Sequence, residues 1–470
     1  MVSFIFYDVG FLIVFGILAA LFFYKHKKNL KRQGWMFLYH SKAGIKFIDW
    51  TARKFERILK PMQYFVIGLG YILMVSIIWL IGKSVWIYVS SPIPKQLENL
   101  PPIAPLIPYF PAIFNLESLF PPLYFTYFII ALAIVAISHE FSHGIFARLH
   151  KIKVKTTGVA FFGPFLGAFV EPDEKNMAKK GKIAQLSILG AGTFANVVMT
   201  ILFLLIMWLF FSLSFNPAGV VFNVYAQNVV NVRDIISVQG KNVSSIGDIS
   251  LFAEEGLNKI ETAGGDYLAP LESLKEGVEK NAVQIVAFED APAVNAKLQG
   301  AIMEINGLPV KGQEDLNNVL SGIPAGENLR IKTSQGKEIV YYDIKSGDKD
   351  GHAYLGIGFY SFDRGGLGGK ASSLFAKVKN PNIYYEPTWD GDFVQFIYDL
   401  LWWIVVINIL VALMNMLPVS ILDGGRFFYL TIWGITGSEK IGRKAFAIAT
   451  WVIFLLIALM MAKWVGNLVF

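Results

Sequence analysis

The sequence predicts a polytopic α-helical membrane protein with about six transmembrane helices and an inserted α+β soluble domain. Hydrophobic residues make up 54% of the 470 residues and charged residues only 16%, whereas soluble domains carry about 25% charged residues. Six apolar runs are long enough to cross a bilayer, which takes about 20 residues of helix. One stretch of soluble composition, residues 218–360, separates the fourth run from the fifth. The composition therefore argues against a soluble protein with a single core.

The predicted spans cover residues 1–24, 62–89, 122–148, 183–213, 394–434 and 442–468. We interpret the first as a spanning helix rather than a cleaved signal peptide, because its basic cluster follows the apolar run instead of preceding it. The fifth is too long for one straight helix and contains Pro418, Gly424 and Gly425. We therefore expect its backbone to break at membrane depth.

The charged residues predict how the chain is threaded through the bilayer. Residues 25–60 carry 11 Lys/Arg against Asp49 and Glu56, which places this loop in the cytoplasm and the N-terminus outside. Residues 218–360 carry 12 Lys/Arg and 19 Asp/Glu, a net charge of −7, so the overall charge of +7 leaves +14 on the membrane part and its loops. The positive charge thus records topology, and we expect no nucleic-acid partner.

The chain contains no cysteine. Disulfides, thiolate catalysis, cysteine-type zinc sites and iron–sulfur clusters are all excluded. Any metal must be held by His, Asp or Glu.

The third span contains the motif HEFSH, with His139, Glu140 and His143. On a helix, residues i and i+4 share one face, so both imidazoles can reach one ion with Glu140 beside it. This is the metalloprotease arrangement. A carboxylate at the centre of a span costs about 2.5 kcal/mol or more, so such a cluster needs a compensating partner. The alternative is a solvated cluster at the membrane interface, near Arg148.

Two imidazoles do not complete a tetrahedral catalytic site, which takes three protein ligands and a water. Asp423, in NMLPVSILDGGRF, is the better candidate for the third ligand. Counted along the helices, His139 and Asp423 both reach the cytoplasmic third of the membrane. Gly424 and Gly425 allow the irregular backbone that would turn the carboxylate toward the ion. Taken alone, LDGG after a proline is more often a turn than a ligand, but the histidine pair favours the ligand.

These two motifs together resemble those of the site-2 protease family of intramembrane zinc metalloproteases. The later motif is NxxPxxxxDG, formed by Asn415, Pro418, Asp423 and Gly424. The resemblance implies a zinc ion (Zn²⁺) held by His139, His143 and Asp423, with Glu140 as general base. The bound zinc would acidify its water and polarise the scissile carbonyl, while Glu140 takes the proton and delivers it to the leaving amine.

Family members also carry a Gly-Pro-x-x-Asn type motif in the span between. Here AGTFAN offers Gly192 and Asn196, with Thr193 in the place of the proline. Asn196 and Asn415 are uncharged donors able to stabilise the oxyanion or to hold an unwound substrate strand. The alternative for both is an interhelical hydrogen bond that only joins the spans.

The resemblance further implies that the inserted domain is PDZ-like and has a peptide ligand. The segment DAPAVNAKLQGAIMEINGLPV from Asp290 is similar to the PDZ core pattern, with Gln299-Gly300 in the place of the usual Gly-Asp. A weak self-match at an offset of 67 residues joins the segments that begin at Ile236 and Met303. It represents either a duplicated module or chance.

Residues 154–176 combine strand-like and Gly/Pro-broken character between two spans. A transmembrane substrate must expose its backbone, because a helix hides every peptide bond. Our hypothesis is that this segment lines the catalytic face and pairs with the extended substrate by strand addition. The alternative is an ordinary interfacial hairpin.

The predicted organisation has five parts. They are residues 1–121, two N-terminal transmembrane helices with a basic cytoplasmic loop; 122–213, the first part of the catalytic membrane core; 214–392, an extracytoplasmic PDZ-like domain, single or tandem; 393–434, the second part of the core; and 435–470, a C-terminal transmembrane helix.

The expected function is an intramembrane zinc metalloprotease that cuts single-span transmembrane proteins near the cytoplasmic side of the lipid bilayer, as in regulated intramembrane proteolysis. The alternative is a non-catalytic membrane scaffold with a peptide-binding domain and a structural zinc site. Glu140 favours the enzyme, because a structural site has no use for a general base. A transporter is disfavoured, since the spans show no inverted repeat.

Overall fold

The computed structural model describes residues 4–34, 36–90, 101–103, 105–117, 119–162, 165–279, 283–336, 338–359 and 379–469. The chain divides into two compact units, one of Met1–Phe210 with Gln395–Phe470 and one of Phe211–Val394.

The described helices are α1 Phe4–His26, α2 Ile45–Lys54, α3 Glu56–Ser90, α4 Phe110–Ile113, α5 Phe125–Leu149, α6 Glu174–Ala178, α7 Lys182–Ser214, α8 Ile246–Phe252, α9 Leu271–Glu279, α10 Pro292–Asn295, α11 Gln313–Ser321, α12 Gly391–Asn415, α13 Asp423–Thr436 and α14 Glu439–Val469. The strands are β1 Leu30–Gln33, β2 Met36–Ser41, β3 Val154–Phe162, β4 Phe165–Pro172, β5 Phe215–Val220, β6 Val224–Tyr225, β7 Gln227–Asn231, β8 Ile235–Val238, β9 Lys241–Asn242, β10 Leu257–Thr262, β11 Gly265–Pro270, β12 Gln284–Glu289, β13 Ala301–Ile305, β14 Leu308–Pro309, β15 Asn328–Gln335, β16 Glu338–Lys345, β17 Gly347–Lys349, β18 His352–Tyr354, β19 Ile357–Gly358 and β20 Ile383–Pro387.

Six of the described helices are long and apolar enough to cross a membrane: α1, α3, α5, α7, α12 and Glu439–Gly466 of α14. These six candidate spans agree with the prediction of a polytopic membrane protein. The second helix begins at Glu56, six residues before the predicted start of its span at residue 62. The first turn of this helix is charged and precedes the apolar run. A prediction made from apolar residues alone therefore places the start of the helix too late.

The structure breaks the fifth span between α12, which ends at Asn415, and α13, which begins at Asp423. Two glycines of α13 lie directly against the connecting turn. A Cβ on Gly424 would lie 2.6 Å from the carbonyl oxygen of Leu417, and a Cβ on Gly425 would meet the carbonyl group of Val419. Only glycine therefore lets the turn fold back onto the start of α13.

The membrane unit also contains a four-stranded antiparallel sheet in the order β1-β2-β3-β4. Strands β3 and β4 come from the predicted strand-like segment, of which Gly163 and Pro164 lie outside the described residues. Strands β1 and β2 come from the basic first loop, where the sequence interpretation placed no strand. The pairing of His40 in β2 with Gly158 in β3 joins the two hairpins.

Close helix packing surrounds Phe427 of α13, which is fully buried together with Val66 of α3. A Cβ on Gly70 would lie 3.0 Å from the Phe427 ring, and a Cβ on Gly190 would lie 3.2 Å from a Val66 methyl group. Lipid tails are as apolar as these side chains, so the association of helices in a membrane depends on close van der Waals contact. Small residues at these points allow α3, α7 and α13 to approach one another.

Asp8 is the buried member of the described part of α1 and caps another helix. Its Oδ1 accepts hydrogen bonds from the N–H and the hydroxyl of Thr126, at 2.8 and 2.6 Å, and its Oδ2 accepts bonds from the Phe125 N–H and the Tyr109 hydroxyl, at 2.8 and 2.6 Å. The N-cap residue of α5, Tyr124, supplies no side-chain cap. The carboxylate of Asp8 thus satisfies the first N–H groups of α5, where a negative charge is stabilised by the helix dipole.

The second unit is the predicted soluble domain and is rich in sheet. Its two largest sheets have the orders β7-β12-β11-β10-β8-β9 and β16-β15-β13-β5-β20, with β14 paired to β13. Each sheet covers its own apolar core: Val238, Ile249 and Ile260 lie in the first, and Ile302 and Leu329 in the second.

Two segments of this unit, 67 residues apart, fold alike. In the first, β8 turns at Gln239-Gly240 into β9 and then into α8; in the second, β13 turns at Asn306-Gly307 into β14 and then into α11. The φ angles of the turn residues are 52° and 73° in the first segment and 50° and 83° in the second. Two successive positive φ angles are typical of a tight hairpin.

The helix that follows each hairpin carries an aspartate as its third residue, and the carboxylate of this aspartate accepts hydrogen bonds from the preceding backbone. Asp248 Oδ2 accepts hydrogen bonds from the N–H groups of Ser244 and Ser245 at 3.0 and 2.8 Å, and Asp315 Oδ2 accepts one from the Lys311 N–H at 3.0 Å. The bonds from the Ser245 and Ser244 backbone hold the pKa of Asp248 below its ordinary value. The weak self-match of the sequence therefore corresponds to equivalent turn and cap geometry.

Candidate metal centre and active site

Three side chains converge between α5 and α13. The Nε2 atoms of His139 and His143 are 3.1 Å apart, and each lies 3.2 Å from Asp423 Oδ2. The side chains of the two histidines are 8% and 11% exposed and that of Asp423 is 25% exposed. Within the described part of the chain, this is the group that brings three metal-binding side chains within 4.8 Å of one another.

The local fold explains the convergence. One turn of α5 separates His139 from His143, so both imidazoles point from the same face. Asp423 is the first residue of α13 and follows the N-cap residue Leu422. The break in the fifth span thus ends where a carboxylate is required, and the N-terminus of a helix is a favourable place for a negative charge.

Arg148 does not accompany this cluster. Its guanidinium forms two contacts with the Asp49 carboxylate, Nε to Oδ1 at 2.5 Å and Nη2 to Oδ2 at 3.0 Å. This ion pair joins the end of α5 to α2. The buried histidines therefore do not fit the alternative of a solvated interfacial cluster around Arg148.

A backbone carbonyl fixes the orientation of His143. Its Nδ1 lies 2.6 Å from the carbonyl oxygen of Ile188 in α7. A carbonyl oxygen only accepts, so Nδ1 carries the proton and Nε2 keeps its lone pair. Outer hydrogen bonds of this kind orient the histidines of metal sites.

Asn196 contacts Nδ1 of His139, as the Ile188 carbonyl contacts Nδ1 of His143. This fully buried asparagine of α7 brings its side-chain amide to 3.1 Å from His139 Nδ1, through Nδ2. Its Oδ1 is buried and has no hydrogen-bond partner among the described residues. A half-turn of the amide about the Cβ–Cγ bond exchanges the two atoms, so that Oδ1 accepts the proton of Nδ1 and both groups are satisfied. His139 Nε2 then also keeps its lone pair for a metal.

Gly192 of α7 leaves space for the cluster. A Cβ at this position would lie 2.5 Å from His139 Cε1, from His139 Nε2 and from His143 Nε2. The neighbouring Thr193, where the family motif has proline, is buried and donates its hydroxyl to the Gly190 carbonyl oxygen at 3.0 Å. This departure from the motif therefore leaves α7 continuous beside the cluster.

Glu140 lies next to the three donors but is not one of them. Its Oε2 accepts a hydrogen bond from the backbone N–H of Val170 in β4 at 3.0 Å. The sheet thus reaches the carboxylate predicted to act as base. Sequence patterns carry no signal for this contact or for that of Ile188, because the groups involved are backbone atoms that every residue has.

The remaining predicted site residues lie on the chain break. Asn415 is half-buried at the end of α12, and none of the hydrogen bonds found among the described residues joins it to the three donors. Pro418 is buried in the turn, and its carbonyl oxygen accepts a bond from the Thr450 hydroxyl at 3.1 Å. This bond ties the turn to α14.

The donor set fits zinc. Two imidazole nitrogens and one carboxylate oxygen are common ligands of catalytic zinc, at about 2.0 to 2.2 Å from the ion. At those bond lengths, tetrahedral ligand atoms lie roughly 3.3 to 3.6 Å apart. The observed separations of 3.1 and 3.2 Å are close to that value. Both imidazoles also direct Nε2 toward the Asp423 carboxylate and toward each other, as ligands of one shared ion would.

A helical membrane unit with a buried donor set of two histidines and one carboxylate defines a candidate membrane metalloenzyme. Comparison with known proteins identifies the class further. The model of Peptidase family M50 matches residues 127–345 and 371–460, more than half of the chain, and the chain belongs to this family. The predicted membership in the site-2 protease family is thereby confirmed.

One relative is an uncharacterized protein of Methanocaldococcus jannaschii. The alignment is 28% identical over 238 residues, and it covers 48% of this chain and 58% of the relative. The chain therefore spans little more than half the length of that relative.

Proposed function

We propose that the protein is an intramembrane zinc metalloprotease that cuts single-span transmembrane proteins. The observation that carries this proposal is the convergence of His139, His143 and Asp423 beside Glu140 within the membrane unit. Membership in a metallopeptidase family supports it. Asp423 is the most exposed of the three side chains, at 25%, while the histidines are almost fully enclosed.

Zinc supplies Lewis acidity when it is bound, which acidifies water and polarises the scissile carbonyl. His139, His143 and Asp423 would hold it, with both histidines fixed as Nε2 ligands by their outer hydrogen bonds. Glu140 takes up the proton of the attacking water and delivers it to the leaving amine. The Val170 N–H holds Oε2 of this carboxylate, which leaves Oε1 for the proton.

The position of β4 as the last strand of its described sheet supports the proposed strand addition of the substrate. In an antiparallel pair, alternate residues direct their N–H and C=O groups away from the partner strand. Val170 directs its N–H to Glu140 rather than to β3, so the backbone of Ala168 faces the same edge. An extended substrate paired along this edge would carry its peptide bonds past Glu140.

For the remaining parts, we propose a tandem pair of PDZ-like modules that bind a peptide. The matching turns at Gly240 and Gly307 and the matching caps support a duplication. The distribution of basic residues supports a cytoplasmic mouth for the active site, with the N-terminus and the sheet-rich domain outside.

The proposal is tested with purified Glu140→Ala and Glu140→Gln variants, reconstituted with a membrane-embedded model substrate. Both should lose cleavage by roughly 100-fold or more and keep the zinc content of the parent. Glu56→Gln, an exposed carboxylate of α3, is the matched control and should cleave normally. Persistent cleavage by the Glu140 variants would overturn the mechanism.

Zinc content of Asp423→Ala separately tests the third ligand. The loss of one of three protein ligands should sharply reduce bound zinc under chelator competition. Undiminished zinc would reject Asp423 as the third ligand. The role of Glu140 would then still be tested by the cleavage assay.

A further inference from the structure

A cavity of about 700 Å³ lies against the four-stranded sheet of the membrane unit. All four strands and the short helix α6 contribute to its lining. Its basic residues are Lys31 and Arg32 from β1, Lys155 from β3 and Lys175 from α6. The chemistry assigned to the metal centre uses none of them.

The acidic residues of the lining leave this positive charge in excess. They are Glu171, which accepts a hydrogen bond from the Thr156 hydroxyl at 2.9 Å, and Glu174, which lies 3.5 Å from the guanidinium of Arg426. Four basic side chains thus face two carboxylates, and one of those carboxylates is already paired with a further cation.

Three of the cations have no acidic partner of their own among the described residues. No ion pair links Lys31, Arg32 or Lys175 to a carboxylate in the described part of the chain. Lys155 lies 3.7 Å from Asp173. Desolvation raises the pKa of Asp173, but its bond from the Asn176 N–H and the charge of Lys155 hold that pKa below its ordinary value. The cavity is therefore suited to an anionic occupant.

The cavity meets the candidate active site at one residue of β4, Val170, whose neighbours Phe169 and Glu171 also line it. Val170 lines it and donates its N–H to Glu140. Two residues further along β4, Pro172 also lines the cavity, and a proline has no N–H with which to continue an edge pairing. A chain paired with β4 must therefore leave the strand edge here, directly beside the basic side chains.

We propose that this basic cavity binds acidic side chains of the substrate that lie about two to four residues from the scissile bond. The inference rests on the proposed protease function and names a determinant of its specificity. A strand rises about 3.3 Å per residue, so the step from Val170 to Pro172 is roughly 7 Å. Substrates with Asp or Glu in this window should be cut faster than those with Lys or Arg.

The test uses the full-length protein in vesicles of phosphatidylcholine, a zwitterionic lipid. Three model transmembrane substrates differ only in two residues, placed two to four positions from the scissile bond in the part of the substrate that would enter the cavity. These residues are Asp-Asp, Ser-Ser or Lys-Lys. The Asp-Asp substrate should have a kcat/KM roughly tenfold above that of the Lys-Lys substrate, as two exposed ion pairs would produce. The preference should shrink at high salt.

Charge reversal identifies the residues responsible. The double variant Lys31→Glu/Arg32→Glu should invert the preference, so that the Lys-Lys substrate is cut faster. The control Lys27→Glu/Lys28→Glu makes the same change of charge in the same loop, but outside the cavity lining, and should retain the wild-type preference. Equal rates for all three substrates, or equal effects of both double variants, would overturn the inference.

Two further outcomes separate this inference from its alternatives. If anionic lipid accelerates all three substrates equally and Lys31→Glu/Arg32→Glu abolishes that effect, the cavity binds a lipid headgroup and the inference is wrong. If no substrate is cut by the zinc-loaded wild-type protein, the proposed protease function itself fails. Cleavage without charge preference rejects only the substrate cavity.

Discussion

The backbone N–H of Val170 donates a hydrogen bond to the Glu140 carboxylate at 3.0 Å, across 30 positions of the chain. A charge-assisted bond of this kind is stronger than one between neutral groups. It fixes the edge of β4 beside the base of the candidate active site. The bond joins α5 to the edge of β4, so a substrate that adds to this edge, as proposed, would be positioned relative to Glu140.

Ala168→Pro tests the use of this edge. Proline removes the N–H that faces outward but leaves the Val170 bond to Glu140 in place. Cleavage of a membrane-embedded substrate should fall by about 2- to 10-fold, since one main-chain hydrogen bond to an extended substrate is lost. Zinc content and melting temperature should stay near those of the parent. Ala168→Val, which keeps the N–H, is the matched control. Normal cleavage by the proline variant would argue against strand addition.

Asn196→Leu tests the outer contact of His139. Leucine has a similar volume but cannot accept the proton of Nδ1, so zinc affinity should fall by about 10- to 100-fold. Chelator competition measures this value. Asn408→Leu is the control, because Asn408 is equally buried and donates instead to the Ile404 carbonyl oxygen at 2.8 Å. The same loss in both variants would mean that only general packing is affected.

Gly192→Ala should prevent metal binding. The added methyl group would lie 2.5 Å from His139 and His143, well inside van der Waals contact, so the imidazoles must move apart. We expect zinc stoichiometry measured by metal analysis to fall well below one per chain, with loss of cleavage. Gly82→Ala, also in a membrane helix but with no atom within 4 Å of its added Cβ, should bind zinc normally. Full zinc occupancy in Gly192→Ala would contradict the close approach of α7.

Asp8→Ala should destabilise the membrane unit without removing a catalytic group. Four donors on Tyr109, Phe125 and Thr126 would lose their acceptor. The free energy of unfolding should fall by about 2 to 4 kcal/mol. Unfolding of the purified protein in detergent mixtures measures the loss. Asp8→Asn keeps one acceptor oxygen, so its free energy of unfolding should lie between those of the parent and of Asp8→Ala. Unchanged stability in both variants would show that α1 contributes little to α5.

The sequence was most informative where a residue type is rare in its surroundings. His139, His143 and Asp423 are titratable groups in apolar runs, and their spacing and expected depth were sufficient to predict that they meet. Asp8 carries the same signal, a carboxylate in an apolar span, but its partners include the N–H groups of Phe125 and Thr126. Backbone groups leave no trace in composition, so neither this cap nor the contacts of Val170 and Ile188 were predictable.

Strands β1 and β2 were missed for a related reason. They are short and lie in a loop dominated by basic residues, and β2 gains its stability from pairing with β3, more than a hundred residues away in sequence. A strand that depends on a distant partner has weak local preference. Asn196, in contrast, was located by its sequence motif. Its contact with His139 became evident only from the fold.

The cap on α5 also has a consequence for biogenesis. Asp8 is synthesised 118 residues before Thr126, and at roughly 5 to 20 residues per second it waits about 6 to 24 seconds for its donors. During that interval the first helix carries a carboxylate without the partners it has in the folded protein. The arrival of α5 satisfies this group, so the order of synthesis couples anchoring of the first helix to delivery of the helix that carries His139 and His143.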